Sequence, residues 1–180
     1  MEIDREKERK FEFGEKTDPT VVLGLCEIDK LFGYNKIGNG GTRDSPIVME
    51  DRYYDTEDLI LLGANAVYRV RSVRRTDPER LTYVTVTFKR EINGVNDRVE
   101  INDEVSSYEP AVMLPLISDL KSVEEVKKII GDRKLKHLLT VDNRRRNILF
   151  GRNGSQLEVS IDNLIYRGES FVGEAREYGV

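Results

Sequence analysis

"LTYVTVTFKRE", Leu81–Glu91, is the stretch on which the fold turns. Successive side chains of a β-strand point to opposite faces. Val84, Val86 and Phe88 therefore share one face, and Thr85, Thr87 and Lys89 share the other. The same division recurs along the chain. Val99 and Ile101 oppose Arg98, Glu100 and Asn102; Leu157, Val159 and Ile161 oppose Glu158, Ser160 and Asp162; Tyr68 and Val70 oppose Arg69 and Arg71. In one reading the apolar faces meet a core and the polar faces meet water. In the other the sheet is inverted, with apolar faces outward under helices and polar faces lining a wet interior. Periodicity alone does not choose between them.

Working outward, residues 2–13 read as a strand. Asp18 caps a helix that has Pro19 at its first position and runs to about Phe32. "GYNKIGNGGTRDSP" (33–46) reads as a loop, rich in Gly and Asn. Strands are expected at 47–56, 66–75, 81–91, 95–105, 135–150 (with an irregularity) and 156–168, the last as one or two strands. "EDLILLGAN" (57–65) reads as a turn or short helix, and "YEPAVMLPLI" (108–117) as a helix. "SVEEVKKIIG" (122–131) reads as a helix capped by Ser122, with Glu125 completing a capping box and Gly131 ending it. The sum is an α+β chain, mainly β. About seven or eight mostly antiparallel strands form one curved sheet or barrel with flanking helices.

The 180 residues suit a single domain over 1–180. Charged residues make up 34% and hydrophobic ones 38%, which is charge-rich yet sufficient for a core. No apolar run approaches the ~18 residues of a membrane span. The charged N-terminus lacks the apolar stretch of a secretory signal, so the expected setting is cytoplasmic. A net charge of −4 gives no case for nucleic-acid binding. Cys26 and His137, each the sole residue of its type, cannot build a Cys/His zinc site. Any metal would need carboxylates, which favours Mg²⁺ or Mn²⁺.

The inverted reading gathers Lys10, Arg69, Arg71, Lys89, Arg98, Arg144 and Arg146 with Glu6, Glu8, Glu100, Glu158 and Asp162. Buried charges of both signs need pairing or a ligand. A polyanion with a divalent metal meets that need: cations hold phosphate oxygens and carboxylates hold the metal. Arg145 is a register alternative to its neighbours, because a slip of one residue exchanges faces.

Six segments, in order, resemble one family. Glu6-x-Glu8-x-Lys10 within "REKERKFEF" (5–13) is similar to the Glu-x-Glu-x-Lys opening of the CYTH superfamily, the triphosphate tunnel metalloenzymes. "DRYYDTEDLILLGANAVYRVR" (51–71) resembles its second segment, with Tyr53-Tyr54-Asp55-Thr56 and Arg69-Val70-Arg71. "VTFKRE", "DRVEIND", "NRRRNILF" and "LEVSIDNL" resemble its later strands. The resemblance implies an eight-stranded closed antiparallel barrel around a charged tunnel, which is the inverted arrangement. It implies a triphosphate-containing small molecule as partner, with Lys10, Arg69, Arg71 and Lys89 at the catalytic centre. Arg98, Arg144 and Arg146 join them in gripping phosphate. Glu6, Glu8, Glu100, Glu158 and Asp162 would hold Mg²⁺ or Mn²⁺. Family members hydrolyse inorganic triphosphate, thiamine triphosphate or RNA 5′-triphosphate ends, and some are class IV adenylyl cyclases. A metal-dependent triphosphatase is the leading expectation; a cyclase and a non-catalytic polyphosphate- or nucleotide-binding module are the alternatives, and a homodimer is compatible with all three. One departure stands out. The family ends on a Glu-x-Glu strand, whereas "GESFVGEAREYGV" (168–180) spaces Glu174 and Glu177 three apart, so that last strand is expected to be missing.

Overall fold

The computed structural model of the chain describes residues 10–12, 24, 28–40, 46–76, 79–92, 98–105, 119–168 and 172–179. Ten strands among them join in one antiparallel sheet: β1 (Lys10–Glu12), β2 (Lys30–Leu31), β3 (Tyr34–Gly40), β4 (Ile47–Asp55), β5 (Ala66–Thr76), β6 (Glu79–Glu91), β7 (Arg98–Val105), β8 (Lys136–Arg152), β9 (Ser155–Gly168) and β10 (Val172–Gly179). Two helices accompany them, α1 (Ile60–Gly63) and α2 (Lys121–Ile130). The main path runs β1-β10-β9-β8-β4-β5-β6-β7. No helix among the described residues is long and apolar enough to cross a membrane.

The strand β8 is the spine. One edge pairs with β9 through a two-residue turn, Asn153-Gly154. Both residues have positive φ, 49° and 80°, the requirement of a type I′ hairpin turn and the reason for Asn-Gly there. The other edge takes β4 along residues 136–145 and then β3 along 147–151. A register shift opposite Tyr53 and Tyr54 supplies the irregularity expected in this strand.

Packing resolves the ambiguity of Leu81–Glu91. Val84, Val86 and Phe88 are buried with Tyr68 and Val70 against Leu61 of α1 and Val123, Val126 and Ile130 of α2. The apolar face therefore lies beneath helices. Full burial of each such side chain is worth about 1.5–3 kcal/mol. Across β8 and β9, Ile148, Phe150, Val159 and Ile161 form a second cluster with Leu31, Tyr34 and Leu157. Arg69, Arg71, Thr87, Lys89, Arg145 and Asp162 occupy the opposite face.

Several sequence expectations change. The segment 33–46, read as a loop, contains β3, and the helix read as far as Phe32 ends earlier because Lys30–Leu31 pair with Tyr34 and Asn35. Ser122 does not cap α2: the cap residue is Leu120, without a side-chain cap bond. Asp103 of β7 takes over from a distance, accepting the Ser122 amide at 2.7 Å. Gly131, with φ of 62°, does end the helix. The last strand is present: β10 pairs with β9 and also with β1, placing Lys10 opposite Gly179 and Glu12 opposite Glu177. Closure is not complete among the described residues, where β7 and β1 remain the two ends of the path. The helices read at 19–32 and 108–117 fall largely or wholly outside the described residues, as do Glu6 and Glu8.

Candidate active site

The polar face carries a continuous network across four strands. Register places Asp51 beside Arg71, the row Tyr53–Arg69–Thr87–Asn102 next to it, and Lys89 beside Glu100. Arg71 Nε and Nη2 donate to Asp51 Oδ1 and Oδ2, both at 2.6 Å, a bidentate pair. Arg69 is held more loosely: Nη1 lies 3.5 Å from Asp51 Oδ2 and Nη2 donates to Thr87 Oγ1 at 3.4 Å. Its Nε is buried without a partner. Thr87 donates to Asn102 Oδ1 at 2.7 Å, Asn102 Nδ2 donates to Glu100 Oε1 at 3.1 Å, and Lys89 Nζ sits 2.9 Å from Glu100 Oε2.

A second cluster lies on β8 and β9. Arg145 Nε and Nη2 donate to Asp162 Oδ1 and Oδ2, both at 2.6 Å. Ser160 Oγ lies 3.2 Å from both Asn147 Oδ1 and Glu158 Oε1. A buried row of Leu164, Asn143, Met49 and Val73 crosses the same face between the two clusters. Within it Asn143 Oδ1 has no partner.

The electrostatics follow from burial and pairing. Desolvation alone would lower the Arg71 guanidinium, but the hydrogen bonds and charge of Asp51 outweigh it and leave Arg71 above its ordinary value. Hydrogen bonding to Asp162 raises Arg145, against burial and the opposing charge of Arg71. Burial raises the Tyr53 phenol, Asp51 adds to the rise, and Arg69 and Arg71 oppose it. Tyr53 therefore remains a neutral hydroxyl among the arginines.

Of the basic residues read from sequence, Arg69, Arg71 and Lys89 meet in the first cluster. Lys10 begins β1, and Arg98 begins β7 opposite Glu91. Arg144 and Arg146 require correction. Arg145 is the residue opposite Asp162, so Arg144, opposite Val48 and Asn163, and Arg146, opposite Ile161, fall on the other face of β8. Three consecutive arginines hide this, because pattern alone cannot set register. Asp51, Tyr53, Thr87, Asn102 and Asn143 were not picked out from sequence. The available signal was Asp51's even spacing from Tyr53 on one strand, and it gains meaning only once Arg71 is known to lie opposite.

Of the expected metal ligands, Glu100, Glu158 and Asp162 do not form a centre by themselves. No three His, Cys, Asp or Glu side chains cluster as metal donors among the described residues. Asp162 commits both oxygens to Arg145, Glu100 serves Lys89 and Asn102, and Glu158 is exposed beside Ser160.

Comparison with known proteins bears on this geometry. A candidate adenylate cyclase from Bacillus halodurans superposes with a TM-score of 0.60 at 19% identity, covering 96% of this chain and 77% of that one. The candidate adenylyl cyclase HpAC1 from Hippeastrum, described as having a dominant triphosphatase activity, gives 0.59 at 14% identity over 96% and 77%. At such identities the likeness is one of fold. Among curated proteins nothing matches the chain. The CYTH domain profile matches residues 5–172, and the chain belongs to the CYTH family.

Proposed function

We propose that the polar face binds the triphosphate group of a small substrate and that the protein hydrolyses it at a phosphoanhydride bond. The observation that carries this reading is the gathering of Arg69, Arg71, Lys89 and Arg145 on one sheet face, opposite the apolar face that the helices cover. A triphosphate carries about four negative charges near neutral pH, and guanidinium groups match phosphate oxygens in bidentate geometry. Arg69 is the least committed, with only long contacts at Nη1 and Nη2, while Arg71 and Arg145 keep the Nη1 groups that their aspartates leave free. Lys89 adds a point charge. Phosphoryl transfer depends chiefly on positioning and on stabilising charge at the equatorial oxygens, which fixed cations on a stiff sheet supply. A divalent ion would rest on Glu6, Glu8 and the substrate's own oxygens, because Glu100 and Asp162 are engaged by Lys89 and Arg145.

A cyclase reading draws on the description of the Bacillus halodurans neighbour, whereas that of the Hippeastrum protein names a dominant triphosphatase activity. There the ribose 3′-hydroxyl attacks the α-phosphorus in place of water at the terminal one. One experiment separates the two. The protein is incubated with tripolyphosphate, ATP and thiamine triphosphate, with Mg²⁺ or Mn²⁺, and phosphate, pyrophosphate and cyclic AMP are resolved. Phosphate release that disappears in Arg69→Ala supports hydrolysis. Cyclic AMP with pyrophosphate supports the cyclase. Binding without turnover under either metal leaves only a binding module and overturns both.

A further inference from the structure

We propose that Asp51 is a positioning residue, which presents Arg69 and Arg71 to the bound anion without itself touching it. The inference rests on the triphosphate-binding reading above. Asp51 is only 4% exposed, and both of its oxygens are occupied by guanidinium groups. Its burial leaves little surface for a ligand of its own. Burying a carboxylate is unfavourable unless it is paired, and an apolar residue of similar volume often replaces a buried ion pair without loss. General stability therefore gives a weak reason for Asp51. Geometry gives a stronger one. Arg69 and Arg71 stand two residues apart on the same face of β5, so their like charges repel, and each has several rotatable bonds. Asp51, opposite Arg71 on β4, lies between the two guanidinium groups. It grips Arg71 through two short bonds and tethers Arg69 through one long contact. The first arginine is thereby fixed, and the second is confined to a restricted arc by its single long contact.

A second role is open to the same carboxylate: that of a simple counter-charge. The two roles predict opposite signs. Asp51→Asn removes a negative charge from the site, so a counter-charge role requires tighter anion binding. A positioning role requires weaker binding despite the gain in positive charge. Asp51→Glu keeps the charge and displaces the carboxylate by about 1.5 Å, one carbon–carbon bond. A counter-charge role then predicts no change, and a positioning role predicts a loss.

The test is titration calorimetry of wild-type protein, Asp51→Asn and Asp51→Glu with tripolyphosphate at fixed ionic strength. Circular dichroism checks folding, and Asp142→Asn is the charge control, since Asp142 pairs with Arg167 in the row beside Glu50, away from the arginine cluster. Both Asp51 variants should lose about 10- to 100-fold in affinity, the range for residues that orient a binding group. The control should stay within about twofold, because Asp142 lies on the opposite sheet face from the arginine cluster. In ¹⁵N spectra the Arg71 Nε–H signal should be protected from exchange in the wild type and lose that protection in Asp51→Asn. A folded Asp51→Asn that binds as tightly as wild type, or more tightly, overturns the inference while leaving the triphosphate reading intact. If Asp51→Asn does not fold, unchanged affinity in Asp51→Glu overturns it. A wild type that binds no tripolyphosphate removes the triphosphate reading first, and this inference with it.

Discussion

Asp55 offers a sharp test of which carboxylates serve the fold and which serve the site. It lies in the Tyr-Tyr-Asp-Thr segment, four residues after Asp51, yet it performs a different task. Its Oδ1 accepts the amides of Thr56 at 2.7 Å and Leu61 at 2.9 Å, and its Oδ2 accepts Leu62 at 2.9 Å. Leu61 and Leu62 are in the first turn of α1, whose amides have no partner within the helix. Asp55→Ala strands the buried Thr56 and Leu61 amides, while Leu62, at 63% exposure, can turn toward water. At about 1.5–3 kcal/mol for each buried hydrogen bond to a charged group, with the exposed one discounted, the loss should be about 3–6 kcal/mol. For a domain of this size that lowers the melting temperature by about 6–20 °C. Asp55→Asn keeps one acceptor oxygen and should lose roughly half as much. The assay is thermal denaturation followed by circular dichroism, with tripolyphosphate affinity measured on the folded variants. A melting temperature within about 2 °C of wild type in Asp55→Ala would refute the capping role. So would a folded variant with normal stability and no affinity, which would place Asp55 among the ligand-facing groups.

Face assignment on β8 predicts that Arg145→Gln weakens tripolyphosphate binding by at least about tenfold, the scale of one charge-assisted contact. Arg144→Gln and Arg146→Gln should each stay within about twofold, and calorimetry of the three variants decides. Burial raises the phenols of Tyr53, Tyr54 and Tyr68 above the ordinary 10.0. A raised phenol holds its proton more tightly folded than unfolded. Its contribution to stability is therefore complete below pH 10 and is lost as pH rises from there through the folded values, so the melting temperature should fall above about pH 10. Tyr68→Phe removes the most strongly shifted of these phenols and a buried hydroxyl that has no partner. It should retain neutral-pH stability to within about 1 kcal/mol and flatten the alkaline decline; an unchanged alkaline profile would contradict this.

Much of the sheet was legible because alternation is a local property. Val84, Val86 and Phe88 declare a face within five residues, and the boundaries of β4, β5 and β7 fell close to those expected. What alternation lacks is a sign. Whether that face meets water or helices depends on Leu61 and Val126, which lie far from it in sequence. Register is equally non-local. Arg145 and its neighbours differ only in what stands opposite, and Asp162 lies seventeen residues on, across the Asn153-Gly154 turn. The Gly- and Asn-rich segment at 34–40 has weak strand propensity, and its pairing with β8 overrides that preference. The cap of α2 was misread because Asp103, arriving from β7, satisfies the Ser122 amide that a local cap would otherwise serve.

The pairing of β1 with β10 has a consequence for how the molecule is made. Lys10 meets Gly179, so two of the most distant parts of the chain lie side by side. The hairpin of β8 and β9 can form as soon as its own residues leave the ribosome, because its contacts are local. Strand β1, made before β10, has to wait for it, and the edge of β10 that β1 covers stays open until the two meet. The β1–β10 pairing also means that a circular permutant linking those two strands and opened at Asn153-Gly154 would keep every ladder except the continuity of that hairpin, and would reverse the order in which these two pairings form.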